Sequence, residues 1–363
     1  MKISMFDHGA SGGLRSRLKL ASGALTALAL AWTAGPAHAV TYTFQNIIDP
    51  LNPTFTQALG INSAGTIVGY GNATIFNGFQ LTSPASFTRE NFPGATGGTQ
   101  VVGIDSAGNT VGFYINPDAT THGFFKPAGG MFQTVDQPGS VFNQLLGINQ
   151  NGSEIAGYSS FIDVAGATGQ QAFSLIGTTY TNINNLLPAN SNSQATGVNN
   201  SGEVVGFYQI PGTTNFSAFI DVAGAITSFQ VPGAISTQAL GVNGLGQIVG
   251  DFVDNMGVMH GFLDSGGVFT TLDPTGSTAT TINGISNSGT VVGFYVDVNG
   301  NTIARWARRY PSLLPCCSSA LDCSELVYSA AGAVKHFGTR FESPPCCARM
   351  PVLNTKWEQV DDL

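Results

Sequence analysis

The side chains best suited to general-base work in the body of this chain are His122 and His260. Imidazole is the one group whose ordinary pKa lies between pH 5 and 8. Both stand at the same place in different copies of a repeat, as a repeat-position residue at a strand start does; a nucleophile's base has no reason to recur. Asp251 and Asp254 are the irregular acids. Asp251 follows Gly250, where the corresponding positions elsewhere hold Tyr70, Phe113, Tyr158, Phe207 and Phe294. Paired carboxylates projecting into a central pocket are the chemistry of glycan cleavage. A glycan-active hydrolase or lyase is therefore the enzyme alternative. Asp49, Asp105, Asp136 and Asp273 recur with the repeat, which suits structure better than a unique site. Calcium has one opening, Asp297-Val298-Asn299-Gly300-Asn301, whose oxygens lack the bidentate Glu of an EF-hand loop. Asp-Asn-Gly clusters more often make turns. Zinc is disfavoured, because Cys316-Cys317 and Cys346-Cys347 lack Cys-x-x-Cys spacing. The sequence assigns no catalytic, cofactor or metal residue.

The elements that must position these groups are set by a returning stretch. Gly60-Ile61-Asn62-Ser63-Ala64-Gly65-Thr66-Ile67-Val68-Gly69-Tyr70 has counterparts beginning at Gly103, Gly147, Gly197, Gly241 and Gly284, at intervals of 43 to 50 residues. Each copy predicts two strands around a type I turn, with Asn, Asp or Ser first and Gly fourth. The apolar run that follows, such as Val204-Val205-Gly206-Phe207-Tyr208, does not alternate, as in a strand buried on both faces. Its internal Gly marks close backbone approach. Copy three carries an extra Ser153, which predicts a bulge or a longer turn. A third strand follows with a small residue and then Phe, as in His122-Gly123-Phe124 and His260-Gly261-Phe262. A fourth, Thr- and Phe-bearing, ends at a proline.

Four strands in about 44 residues is the period of a propeller blade. The class is all-β: a six-bladed β-propeller of four-stranded antiparallel blades, closed by the N-terminal strand. Tyr42 to Pro50 reads as a fourth strand without its first three, while the last repeat lacks that strand. Closure removes an open edge that would otherwise recruit other chains. Residues 1–39 read as a signal peptide, with Arg15, Arg17 and Lys19, an apolar Leu20 to Gly35, and Ala37-His38-Ala39 before the mature start near Val40. No later stretch is long and apolar enough to cross a bilayer as a helix. The propeller is placed at residues 40–302. Residues 303–363 form a non-repeat tail holding all five cysteines and seven of the thirteen Lys and Arg. That tail is either disordered or loosely folded, or the product of a reading frame lost near Asn301.

The charge balance excludes one class of partner. The repeat region holds only Arg89 and Lys126 against fourteen Asp and Glu. Such a surface repels phosphate, and no basic stripe tracks a nucleic-acid backbone.

The pattern Gly-Ile-Asn-x-x-Gly-x-x-Val-Gly-Tyr, followed by [His/Asn/Gln/Ser]-[Gly/Ala]-Phe, resembles the bacterial HAF repeat, a probable extracellular repeat. The likeness covers about residues 56 to 300 in six copies. The eponymous His-Ala-Phe is degenerate, since His122 and His260 are each followed by Gly. The resemblance implies export and a β-rich repeat domain, and carries no catalytic residues. The expectation is a secreted, cell-surface or periplasmic monomer that acts as a binding or structural module for an extracellular glycan or protein. Recognition is expected on variable loops of one face. The longest loop, about Ser159 to Gln170, contributes Phe161 and Asp163 as binding candidates beside Asp251 and Asp254. Its heptapeptide Phe161 to Ala167 is repeated verbatim at Phe219 to Ala225.

Overall fold

A computed structural model describes residues 41–310, apart from 83–85, 164–165, 168 and 190. The expected signal segment and all five cysteines lie outside the described residues. Six four-stranded antiparallel sheets follow one another along the chain, and each is a blade. The innermost strands are Thr56–Ile61, Gly98–Ile104, Phe142–Ile148, Ser193–Val198, Ser236–Val242 and Ser277–Ile285, for blades one to six. A further two-stranded ribbon, Ile162–Asp163 with Gly166–Ala167, stands in the long loop of blade three.

The hairpin that opens each blade forms as its residue types require. The first turn residue accepts backbone bonds through its side chain: Asn62 Oδ1 takes the N–H groups of Ala64 and Thr66, at 3.1 and 2.9 Å. The fourth residue closes the loop in the left-handed region, with φ between 70° and 87° at Gly65, Gly108, Gly152, Gly202, Gly246 and Gly289. An L side chain is strained there. In blade three the extra Ser153 lengthens the turn, so that Asn149 N–H bonds the Glu154 carbonyl, one residue farther on than its counterparts. The first turn residue also fastens blades together. The Nδ2 amides of Asn62, Asn199 and Asn243 donate to the backbone carbonyls of Asp105, Asn243 and Ser286 in the next blade.

The apolar second strands are buried as their sequence demands, and Ile67–Gly71 is buried at every position. Its Gly69 lies under two neighbours, because a Cβ there would collide with the Gln57 carbonyl and stand 3.0 Å from the Phe79 ring. The Phe of the third strand covers that glycine. Phe79, Phe124, Phe219 and Phe262 are fully buried, and Phe173 nearly so. Each stabilises its blade by roughly 1.5–3 kcal/mol through burial. Four of these rings pack against an outer-strand aromatic: Phe79 on Phe87, Phe124 on Phe132, Phe173 on Tyr180 and Phe262 on Phe269.

Ring closure by the N-terminal strand is present. Thr41–Ile47 pairs antiparallel with Thr302–Tyr310 and becomes the outer strand of blade six. One boundary shifts. The repeat pattern ends the propeller at residue 302, yet residues 303–310 form its last inserted strand, paired on both sides. The sequence signal failed because Arg305 stands opposite Gly293, where the other blades place Phe. Backbone pairing does not need that ring, and Arg305 makes its own arrangement. Its guanidinium lies 4.3 Å from the Tyr295 centroid and 5.9 Å from Phe44, and its Nε donates to Asn46 Oδ1 at 2.6 Å.

Candidate functional site

The six inner strands surround an axial channel, and their local irregularity shapes it. Each carries a β-bulge just before the repeated glycine, at Leu59, Val102, Leu146, Thr196, Leu240 and Asn283. A bulge leaves one residue out of the ladder and bends the strand. The glycines after it, Gly60, Gly103, Gly147, Gly197, Gly241 and Gly284, meet around the axis. A Cβ on Gly60 would stand 2.5 Å from the Val102 carbonyl oxygen; one on Gly197 would stand 3.1 Å from the Gly241 Cα, and one on Gly284 3.4 Å from the Gly60 Cα. The repeated glycine therefore lets six strands converge. The sequence shows it in every copy but does not disclose its place at the axis.

The channel encloses about 260 Å³. Gln100, Gln144 and Gln194 line it on one side of the glycines; Gln150, Asn200 and Asn287 line it on the other. Some of these amides are committed. Gln144 Oε1 accepts from the Tyr158 hydroxyl, and Gln194 Nε2 donates to Gln170 Oε1. Gln150 ties three blades, accepting from the Ser63 N–H and hydroxyl and from the Ser106 hydroxyl at 2.9–3.0 Å. All of those bonds go to its oxygen, so the Nε2 donors have no partner among the described residues. Gln100 bonds no described residue through its side chain. These residues were missed in the sequence because Gln at one strand position looks like ordinary surface polarity.

The acids singled out by sequence are not brought together. Asp251 lies within Ile248–Val253, whereas Asp254 follows the strand end and opens the next turn. Asp251 is buried and paired across the ladder with Gln238. Burial pushes its carboxyl up to about 7, against a smaller lowering by the Thr281 hydroxyl. Asp254 serves its own turn, with Oδ1 accepting from the N–H groups of Met256 and Val258 at 2.8 and 2.9 Å. Those bonds, the Val258 N–H first, hold its pKa below the ordinary carboxylate range. Phe161 is half-buried at the base of the blade-three ribbon, and Asp163 lies within that ribbon. Phe161 does not line the axial channel.

Both histidines act as buckles between the third strand and the end of the fourth. His122 Nδ1 is 2.6 Å from Asp136 Oδ2, and the same carboxylate accepts the Gly123 N–H at 3.0 Å. His260 repeats this with Asp273, at 2.6 and 3.1 Å. Each ring stacks on an aromatic of the second strand, Tyr114 or Phe252. In blade two the chain continues from His122 Nε2 to Thr120 Oγ1 at 2.9 Å, giving the hydroxyl–imidazole–carboxylate order of a nucleophilic triad. The Thr120 hydroxyl, however, already donates to Asp118 at 2.6 Å. In blade five Asp254 bonds the imidazole directly and Val258 replaces the hydroxyl residue. A device that survives loss of its nucleophile is a structural one. Burial lowers the His260 pKa, but Asp273 and Asp254 outweigh it and the net shift is upward.

The proposed calcium loop is a turn. Asp297 Oδ1 accepts the N–H groups of Asn299 and Asn301 at 2.8 Å, and Oδ2 accepts the Asn301 amide at 3.0 Å. Among the described residues no cluster of three His, Cys, Asp or Glu could hold a metal. No helix there is long and apolar enough to cross a membrane.

No family model and no curated protein matches the chain. Solved structures with a similar chain path include Aleuria aurantia lectin, described as a fungal lectin with a six-bladed β-propeller fold and a novel fucose recognition mode. It is 12% identical over 75% of this chain and 100% of that chain, with a TM-score of 0.43. TolB from Acinetobacter baumannii is 7% identical over 70% of this chain and 63% of that chain, with a TM-score of 0.44. The β-propeller domain of the Trilobed protease from Pyrococcus furiosus is 8% identical over 70% and 97%, with a TM-score of 0.43.

Proposed function

We propose that this propeller is an exported binding module of the HAF-repeat type, and that its axial channel holds part of an extracellular glycan or protein ligand. The carrying observation is the rigid ring that presents the Gln100 amide and the Gln150 Nε2 donors beside a cavity of about 260 Å³. Amides both donate and accept, so they pair with hydroxyls or peptide groups without demanding charge. The three-part signature in residues 1–39 supports export to the periplasm, cell surface or medium. The outer strands that remain as blade edges are short, such as Phe87–Arg89 and Gln133–Thr134, which supports a monomer.

The test is a glycan and protein array probed with the mature chain, then repeated with the Gln100→Ala/Gln150→Ala double variant. Retained binding by the double variant removes the channel from the account. A second reading, a glycan-active hydrolase or lyase, draws on Asp251, whose carboxyl is raised towards neutral pH as a general acid requires. Against it, the Asp254 carboxylate is committed to its own turn and to His260. Reducing-end release from a polysaccharide panel, abolished by Asp251→Ala, establishes the enzyme and ends the binding-module reading.

A further inference from the structure

Positive charge is scarce here, and the pairing of the few cations is uneven. Arg89 forms an ion pair with Asp49, and Lys126 with Glu90 at 3.3 Å. Arg305 and Arg308, both on the last strand Thr302–Tyr310, have no carboxylate partner among the described residues. Arg305 is spent on Tyr295, Phe44 and Asn46. Arg308 is exposed, and its guanidinium lies 5.1 Å from the centre of the Trp306 ring. Stacking on an indole fixes the plane of a guanidinium while leaving its N–H edge free.

That pair sits in a cleft of about 510 Å³ between blades six and one. The size falls within the range of about 300–1,000 Å³ usual for small-molecule sites. The far side of the indole packs on the core around Ile61, Ile67 and Leu81, so the wall is rigid. The remaining lining is rich in hydroxyls. Ser286, Ser288 and Thr290 form a chain with oxygens 2.9 and 3.2 Å apart, in which either member can donate. Such a chain can reverse its protons to suit a ligand that both donates and accepts. Blade six has Ser286 where the other blades carry Asn or Asp, so this hydroxyl chain belongs to the cleft.

We infer that the cleft between blades six and one is a second site, which binds a carboxylated sugar of the uronic-acid class. Arg308 takes the carboxylate through its free edge, and the Ser286–Ser288–Thr290 chain takes ring hydroxyls. One fixed cation beside several hydroxyls matches a ligand with one charge and many hydroxyls. The repeat region before the last strand holds fourteen Asp and Glu against Arg89 and Lys126, both ion-paired, so a polyanion is repelled from most of the ring. The cleft opens apart from the channel: the two share Ile61 in their walls and are joined by the Ser63–Gln150 hydrogen bonds.

The experiment is calorimetric titration of the mature chain with trigalacturonate, with maltotriose, sodium sulfate and a short polyglutamate peptide as controls. Trigalacturonate binding is expected to exceed that of every control and to weaken with added salt. Arg308→Ala is expected to lower affinity about 10-fold or more, consistent with the loss of a charge-assisted bidentate bond. Arg308→Lys is expected to recover only part of it. Equal binding of sulfate reduces the site to a bare anion contact and overturns the sugar assignment. Equal binding of polyglutamate overturns it in favour of an acidic peptide. Unchanged affinity in Arg308→Ala overturns the site itself. Arg308 is exposed, so its removal leaves the core intact.

Discussion

Blades five and six have the same four-strand plan and solve it with different chemistry. Blade five is one continuous segment, Ser236 to Thr271; blade six joins strands from both ends of the described chain. In blade five Phe262 covers Gly250 and packs on Phe269. In blade six Arg305 faces Gly293, and the aromatic pair becomes a cation over Phe44. A small void of about 10 Å³ remains beside Gly293, lined by Phe44, Ile282 and Arg305 among others. Blade five has a histidine buckle at His260, where blade six has Ile303 facing Tyr295. The reverse substitution occurs beside the inner strand, where Asp251 of blade five stands in for Phe294. Backbone pairing sets the blade, and the side-chain filling varies around it.

The largest effect is expected from removing the strand that only blade six borrows from the other end of the described chain. A chain lacking residues 41–47 is expected to lose on the order of 5 kcal/mol, from the burial of Ile47 and the partial burial of Tyr42 and Phe44. Urea unfolding measures it, and an unchanged midpoint contradicts closure by this strand.

Next come the two central residues. Phe262→Ala is expected to cost about 3–5 kcal/mol, as a fully buried aromatic does. Arg305→Ala is expected to cost under about 1 kcal/mol, the scale of a half-exposed cation–π contact. Arg305→Phe is expected to stabilise blade six by about 1 kcal/mol by restoring the aromatic pair. Equal losses for the two alanine variants would show that Arg305 fills the Phe role completely.

Asp251 sharpens the comparison through pH. Its folded carboxyl is raised to about 7, so the folded state holds a proton that the unfolded state releases. Stability therefore falls as pH rises from the ordinary carboxylate range through about 7. Asp251→Asn is expected to flatten that decline and to be the more stable protein at pH 8. Thermal melts from pH 4 to 8 read this directly, and parallel curves refute the buried-acid account.

The smallest expected effect is at His260. Its pKa is raised net, so its stabilising contribution is complete below the ordinary imidazole value and fades as pH climbs through the folded one. The melting-point gap between the parent and His260→Gln is expected to be widest near pH 5.5 and to narrow above pH 7.

Much of this was legible because a repeat states its pattern six times. Turn residues such as Asn62 and Gly65 announce their hairpin through local chemistry, and apolar runs such as Ile67 to Tyr70 announce burial. The heptapeptide Phe161 to Ala167 shows where reading stops. At Phe219 to Ala225 it forms the end of a blade hairpin, with Asp221 paired to Ile226 and Phe219 fully buried. At Phe161 it forms a small ribbon with Asp163 paired to Gly166, and the Phe is half-buried. Identical residues take a different register because the neighbouring strands differ.

Residue types alone were enough for the number of blades, the circular closure and every blade strand but Thr302–Tyr310, because turn chemistry and hydrophobic period are local properties repeated along the chain. Folding was needed to show that six glycines converge on one axis, that Gln100 and Gln150 line its channel, and that Trp306 and Arg308 face the turns of blades one and six. Those neighbours are set by closing the ring, which brings together residues that no spacing along the chain relates.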